Sequence, residues 1–343
     1  MEHSQRSTQG RADDRRAFDV RSAVEAATWA PSVHNTQPWS FSTDGDRISL
    51  RADSDRRLTV ADPDGREMLI SCGAALFTLR VAVRDQGHEP EVRLLPDPDR
   101  PHLLADLHLG LRIPGKSDDN SHLYEQIRRR RTHRGGFKPE PVDESLLALL
   151  RHEAQREGAT FRVLTDTHTR NAVAALTAAA EHMHHLNPAY AGELARWAPA
   201  PGSVRREGVT ESAYPRETPP TDPHFAGRDF ARGHGWGAEP AILDWLEEPV
   251  VGVACTLSTK RGTPQDWLHA GQALQRVLLR ATQHGDLAAA FHTQALEVPA
   301  LREVIRTQFC AGDHPQMVLR LGTAGDKFES VRRPVDQVLT HES

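Results

Sequence analysis

The sequence predicts an α+β protein of mostly antiparallel sheet with helices, arranged as two tandem halves, and three observations predict it. Short strand-like runs alternate with longer stretches of helical periodicity along the chain. Gly73, Ala75, Leu76 and Gly87 match Gly271, Ala273, Leu274 and Gly285 at a constant offset of 198 positions (271 − 73). Farther on, His102, Leu107, Leu109 and Gly110 match His314, Leu319, Leu321 and Gly322 at an offset of 212 (314 − 102), so the second copy holds extra residues. One such match of small and apolar residues could be chance; two in the same order favour duplication.

The elements follow in order. Residues 1–16 are polar and charged with no apolar run, which reads as a flexible tail rather than a signal peptide. Helical periodicity runs from Phe18 through Val20, Val24 and Ala27 to Trp29 and stops at Pro31. Phe41 to Leu50 reads as a hairpin turning on Asp44-Gly45. Met68 to Arg84 is a long helix, with Cys72, Gly73, Ala74 and Ala75 permitting close packing beside a stripe of Leu76, Leu79 and Val83. Val92–Leu95 and Leu103–Leu109 read as strands, as does Met317–Leu321 in the second half. Gly87 and Gly285 suit helix C-caps. These readings divide the chain into a half over 17–122 and a half over 123–343. The second half carries a Pro/Gly-rich insertion at about 199–240, read either as a lid or as plain disorder. Trp197 and Trp236 near its ends favour packing onto something. Gly233-His234-Gly235-Trp236-Gly237 follows no predicted strand and is no dinucleotide fingerprint.

Composition narrows the function. The chain has 343 residues, 38% apolar and 6% aromatic, which is long enough to bury a substantial core. A net charge of −5 with interspersed signs gives no field for nucleic acid or membrane, and no apolar run is long enough to span a bilayer. The expected partner is a small molecule. Three unclustered cysteines, Cys72, Cys255 and Cys310, fit neither a disulfide framework nor a thiolate metal site and suit a reducing cytoplasm. His182, His184 and His185 fall on different faces of a helix, so no metal site is expected there.

Two constellations carry chemistry. Ala30-Pro31-Ser32-Val33-His34-Asn35-Thr36-Gln37-Pro38-Trp39 cannot continue a helix; its prolines, hydroxyl and amide groups and Trp39 build a rigid loop suited to a flat heteroaromatic ligand with polar edges. His34 reads as a ligand partner, a proton donor or a solvent-facing cap. Arg128-Arg129-Arg130-Arg131-Thr132-His133-Arg134, placed where a helix ends, reads either as a solvated basic end or as a phosphate cradle. Arg332-Arg333-Pro334 is a second basic spot. No Ser-His-Asp motif, P-loop or zinc signature is present.

These segments resemble the FMN-dependent nitroreductase family. Ala30 to Trp39 resembles its flavin-contacting loop. Arg130-Arg131-Thr132-His133-Arg134 is similar to its Arg-Arg-Ser-x-Arg phosphate motif, and Arg320-Leu321-Gly322 with Arg332-Arg333-Pro334 is similar to its closing strand and tail. Asp62-Pro63-Asp64-Gly65-Arg66-Glu67, the glycine-containing helix after it and Pro315-Gln316-Met317 look like the Acg-like subgroup. The resemblance spans roughly 18–340 and implies a three-layer nitroreductase-like fold. It also implies an FMN cofactor, NADPH or NADH as transient donor, and a nitro, quinone or similar flat acceptor. Ser32, His34, Asn35 and Gln37 would meet the ring's polar edge, while Arg130, Arg131, Thr132, Arg134, Arg332 and Arg333 would hold the phosphate. Ordinary members carry the arginine motif before the loop and dimerise; here the order is reversed, as a fused, degenerate dimer with one composite site would require. Such a chain would be a monomer. The subgroup also implies a lid, so the alternative is a protein that sequesters FMN without turnover; a flavin-free relic is the third reading.

Overall fold

The computed structural model describes residues 18–112, 118–213, 223–228, 230, 252–324 and 329–341. The expected tail at 1–16, the Gly233–Gly237 run and Trp236 lie outside them.

Asp19 accepts from Ser22 N and starts α1 (Val20–Ala27), which ends before Pro31. β1 (Trp39–Asp44) and β2 (Arg47–Ala52) form the hairpin, but its two turn residues are Gly45 and Asp46, one step later than expected. Gly45, at φ +60°, supplies the positive angle that the first turn position needs. Gly65 then precedes α2 (Arg66–Asp85), followed by β3 (His88–Leu94) and β4 (Leu103–Arg112). α2 is buried on nearly every side, so its apolar stripe is one face of a wholly interior helix.

The chain continues through α3 (Asp118–Gln126), α4 (Glu144–Arg156), β5 (Thr160–Val163), α5 (Thr167–His185) and α6 (Pro188–Arg196). β6 (Val253–Thr259) leads to α7 (Pro264–Gly285), which Thr263 and Asp266 start with a reciprocal capping box. The left-handed residue ending α7 is Asp286, not Gly285. β7 (Leu287–Phe291), α8 (Gln294–Glu297), α9 (Pro299–Phe309), β8 (His314–Thr323) and β9 (Leu339–His341) complete the order.

Two sheets result, β3-β4-β2-β1-β9 and β7-β8-β6-β5. Apart from β9 they share strand order, connectivity and antiparallel pairing, with α2 and α7 as equivalent inner helices. α2 packs under the first sheet, α7 under the second, and the two helices pack on each other, which gives a sheet–helix–sheet layering. β9 pairs parallel to β1, Leu339 opposite Phe41, and so carries the end of the described chain back to the first sheet.

The helix contact is reciprocal. A methyl at Gly73 would lie 2.3 Å from the Leu268 carbonyl oxygen, and one at Gly271 would lie 2.0 Å from that of Ile70. Leu268 and Ile70 are themselves 198 positions apart, the spacing that relates the two glycines. Gln275 Nε2 donates to Thr78 Oγ1 (3.0 Å) across this seam. Beside it, Arg276 pairs with Glu153 and Glu157, and Arg80 joins Glu157 at 2.6 Å. Charges buried this deeply must stay paired, which fixes helix register more than it adds stability. We expect Gly271→Ala to cost about 3 kcal/mol in urea unfolding, the upper end of overpacking penalties. Gly192→Ala in α6, where a methyl meets nothing within 4 Å, should be neutral or stabilising.

Candidate functional site

The loop after α1 is the first wall. His34, Asn35 and Gln37 all adopt positive φ (45°, 53° and 50°), a conformation costing about 1 kcal/mol or more apiece unless the surroundings impose it. They do impose it. Gln37 N donates to Ser32 Oγ (3.0 Å) and Val33 N to Ser71 Oγ (3.1 Å). Asn35 Nδ2 donates to the carbonyls of Gly208 (3.0 Å) and Val331 (3.2 Å), while its Oδ1 accepts from Arg332 Nη1 (3.1 Å). Gln37 Nε2 donates to Arg206 O (2.8 Å), and its Oε1 accepts from Arg333 N (2.7 Å).

The second wall is the arginine-rich segment after α3. His133 N donates to Ala289 O (2.8 Å) and Thr132 bridges to Ala289, which lays the segment along β7. Arg130 Nη2 and Arg332 Nη2 both donate to Trp29 O, at 3.2 and 3.3 Å. Groups some hundred and three hundred positions apart in sequence thus meet at the end of α1.

Between the walls lie two adjoining chambers that share Pro31, Ser32, Thr132 and Arg134. The larger encloses about 1080 Å³ including its mouth; Ile70 and Leu274 from the paired inner helices help line it, with His34, Glu67, His292 and Arg320. The smaller, about 330 Å³, is bordered by Asn35, Val209, Thr210 and Arg332. Phe225, Gly227, Arg228 and Phe230 complete the larger chamber's lining. They belong to the segment at 199–240 and are tied down: Arg228 pairs with Glu297 and with the Tyr190 hydroxyl and donates to Thr293 Oγ1 (2.9 Å). Ala226 O accepts from Gln294 Nε2 (3.0 Å) and bonds His292 Nδ1 (3.1 Å). Trp197, near the segment's start, is buried with Leu58, Tyr190, Val209 and Phe230.

No protein-family model matches the sequence. "Putative NAD(P)H nitroreductase Rv3131" of Mycobacterium tuberculosis (strain ATCC 25618 / H37Rv) is 36% identical over 331 residues, spanning 94% of this chain and 91% of the relative. The chain belongs to the nitroreductase family. "Putative NAD(P)H nitroreductase acg" from the same strain is 30% identical over 329 residues, covering 93% and 94% of the two chains. Among solved structures, the FMN and NADPH-dependent nitroreductase NfnB from Sphigopyxis sp. strain HMH aligns with 64% of this chain and 99% of its own at 20% identity and a TM-score of 0.39. Likeness of that size adds no argument, and membership rests on the sequence relatives.

In this nitroreductase-family chain the expected site residues divide. Ser32, His34, Thr132 and Arg134 line the larger chamber; Arg332 borders the smaller, and Arg130 lies beside it through their shared acceptor at Trp29 O. Asn35 borders the smaller chamber, but its amide is committed within the protein. Gln37 and Arg333 line neither; they stitch the loop to the C-terminal segment, because their polar atoms meet backbone partners there. Arg131 also lines neither and turns to Arg130 O (2.8 Å). His184 lies 3.6 Å from Glu297, an acidic neighbour its sequence surroundings did not show, yet the described residues hold no metal-binding group of three. Glu67, Arg228, His292 and Arg320 are lining residues that sequence reading missed. Arg320 belongs to a strand motif and Glu67 to the Asp62–Glu67 run, while His292 carries no motif at all.

Electrostatically the site is short of negative charge. Burial, with Arg131 and Arg134 adding to it, pushes Arg130 down to about 9. Burial and then Arg130, Arg131 and Arg134 push Arg332 well below the usual arginine range. Neither has a carboxylate partner among the described residues. Burial opposes charge on Arg228, but Glu297 and Tyr190 outweigh it, so that cation is held charged.

His34 is 6% exposed, stands edge-on to Phe230 (5.2 Å, 89°), and has no hydrogen-bond partner for either ring nitrogen among the described residues. Burial, then Arg228, Arg134 and His184, hold its pKa well below 6.5, so it is a neutral imidazole with one donor and one acceptor. A depressed histidine takes up its proton on unfolding, so it costs nothing above the unfolded-state pKa of 6.5 and erodes stability as pH falls below it. The unfolding free energy of wild type minus that of His34→Asn should therefore fall by up to about 1.4 kcal/mol per pH unit below pH 6.5. A difference that stays flat to pH 5 would show that His34 is not buried as the neutral ring.

Proposed function

We propose that this chain is an FMN-binding, NAD(P)H-dependent oxidoreductase that reduces nitro, quinone or similar flat acceptors by two electrons. The observation that carries the reading is the two-part cavity: a largely apolar chamber holding a neutral His34, joined to a small polar chamber beside Arg130 and Arg332, which meet no carboxylate among the described residues. The residues fit the cofactor. Buried polar atoms without hydrogen-bond partners among the described residues suit such a ligand: the one donor and one acceptor of the neutral His34 ring would meet a heteroaromatic edge, and Nε and Nη1 of Arg130 with Nε of Arg332 would donate to a phosphate.

Arg130, Arg134, Arg332, Thr132 and Ser32 would hold the phosphate. Ser32 Oγ already accepts from Gln37 N, which leaves its proton to donate. His34 would meet the ring's polar edge, with Ile70 and Leu274 supplying apolar contact. Asn35, Gln37 and Arg333 brace the loop. Bound FMN would supply two-electron redox chemistry between a nicotinamide donor and the acceptor. The protein's part is to orient the ring, exclude water with Phe225 and Phe230, and keep His34 neutral beside Arg228 and Arg134.

The repeated topology, the reciprocal Gly73 and Gly271 contacts and the return of β9 to the first sheet support a fused, degenerate dimer in one chain, with halves near 17–122 and 123–343 and one composite site. The 199–240 segment is read as its lid, a monomer follows from the same reading, and the free Cys72, Cys255 and Cys310 support the cytoplasm as its setting. A second reading, sequestration of FMN without turnover, is favoured by the ties of Arg228 and Ala226, which hold residues 225–228 against the larger chamber.

The purified protein should be yellow and release flavin on denaturation. Anaerobic NADPH or NADH should bleach it; colour that yields only to dithionite supports sequestration. Arg134→Ala should weaken FMN binding about 10- to 100-fold, the loss of one charge-assisted contact, as read by fluorescence titration. A colourless protein that takes up no FMN would refute the assignment.

A further inference from the structure

Trp29 lines neither chamber, yet the arginine cluster is organised around it. The guanidinium carbons of Arg128, Arg131 and Arg332 stand over its indole, 5.0, 5.2 and 5.4 Å from the ring centroid. Its carbonyl oxygen accepts from Arg130 Nη2 at 3.2 Å and Arg332 Nη2 at 3.3 Å. Four arginines from two distant segments therefore share one residue.

The physical need for such a residue is plain. Arg130 is buried and Arg332 half-buried with its Nε enclosed, both without carboxylate partners among the described residues, and like charges on long, flexible side chains drive one another apart. An indole face attracts cations through its quadrupole without neutralising them, and a carbonyl accepts their protons without adding a full charge. A carboxylate in the same place would hold the arginines as well but would repel an incoming anion. Trp29 is itself fixed, since its amide donates to Ala26 O (3.1 Å) and that of Ala30 to Ala27 O (3.1 Å) just before Pro31 stops the turn.

We infer that Trp29 is a positioning residue that pre-assembles the arginines and so sets the preference for a phosphorylated flavin over the same ring without phosphate. This rests on reading the cluster as the phosphate site. Arg128 and Arg131, which reach neither chamber, act on the ligand through Trp29 by keeping the ring clamped against Arg332.

The test is titration of FMN and of riboflavin into the flavin-stripped full-length chain, followed by flavin fluorescence. Wild type should prefer FMN. Trp29→Leu should weaken FMN binding by about tenfold or more, as expected for losing several cation–π contacts, and change riboflavin binding by less than about twofold. Trp29→Phe, with a weaker quadrupole and a similar shape, should fall between them. If the leucine variant does not fold, the phenylalanine variant decides alone: a drop in the FMN-to-riboflavin affinity ratio supports the inference and an unchanged ratio overturns it. A leucine variant that keeps the wild-type ratio, or loses both ligands equally, overturns the inference while leaving the phosphate site standing. Wild type that binds riboflavin as tightly as FMN overturns both.

Discussion

Everything in this structure depends on how closely α2 and α7 approach at Gly73 and Gly271. Because each glycine faces a carbonyl of the other helix, backbone meets backbone and the two sheets are held at one spacing. Ile70 and Leu274, one on each helix beside this crossing, reach the larger chamber. A wider crossing would shift that lining and separate the arginine-rich wall, anchored on β7, from the loop anchored on α1 and α2. Helix packing and site geometry are therefore one constraint.

The site combines a rigid frame with an electrostatic deficit. The frame comes from side-chain amides turned inward: Asn35 and Gln37 connect the loop to residues 206–208 and 331–333 and hold three non-glycine residues at positive φ. The deficit comes from placing Arg130 and Arg332 where neither meets a carboxylate among the described residues. Either alone would be costly. Together they make a place suited to an anion, which would find its partners already in position, the economy that preorganisation confers.

Much of this was legible in the sequence. The offset of Gly73 and Gly271 showed in small residues, since close helix contact leaves a mark in composition. The convergence of Ala30–Trp39 with Arg130–Arg134 and Arg332 followed from resemblance to a family, because nothing in residue spacing reports contacts across three hundred positions. What was illegible had a common cause. Whether Asn35 and Gln37 face a ligand or the protein depends on partners such as Gly208 O and Val331 O, backbone atoms that every residue type offers equally. His292 and Glu67 reach the chamber only because of where β7 ends and α2 begins. The turn at Gly45–Asp46 and the left-handed Asp286 moved by one residue from their expected places, the usual looseness of element ends.

The return of β9 to β1 bears on how the molecule is made. Asn35 waits for Arg332, 297 residues later in the chain, before its side-chain oxygen Oδ1 has a partner, and Gln37 Oε1 waits 296 for Arg333 N. While a ribosome is still producing the intervening sequence, the first sheet lacks its fifth strand and the loop's unusual backbone lacks its contacts to Val331, Arg332 and Arg333. The smaller chamber, bordered by Val331 and Arg332, is complete only after the C-terminal segment has emerged and docked.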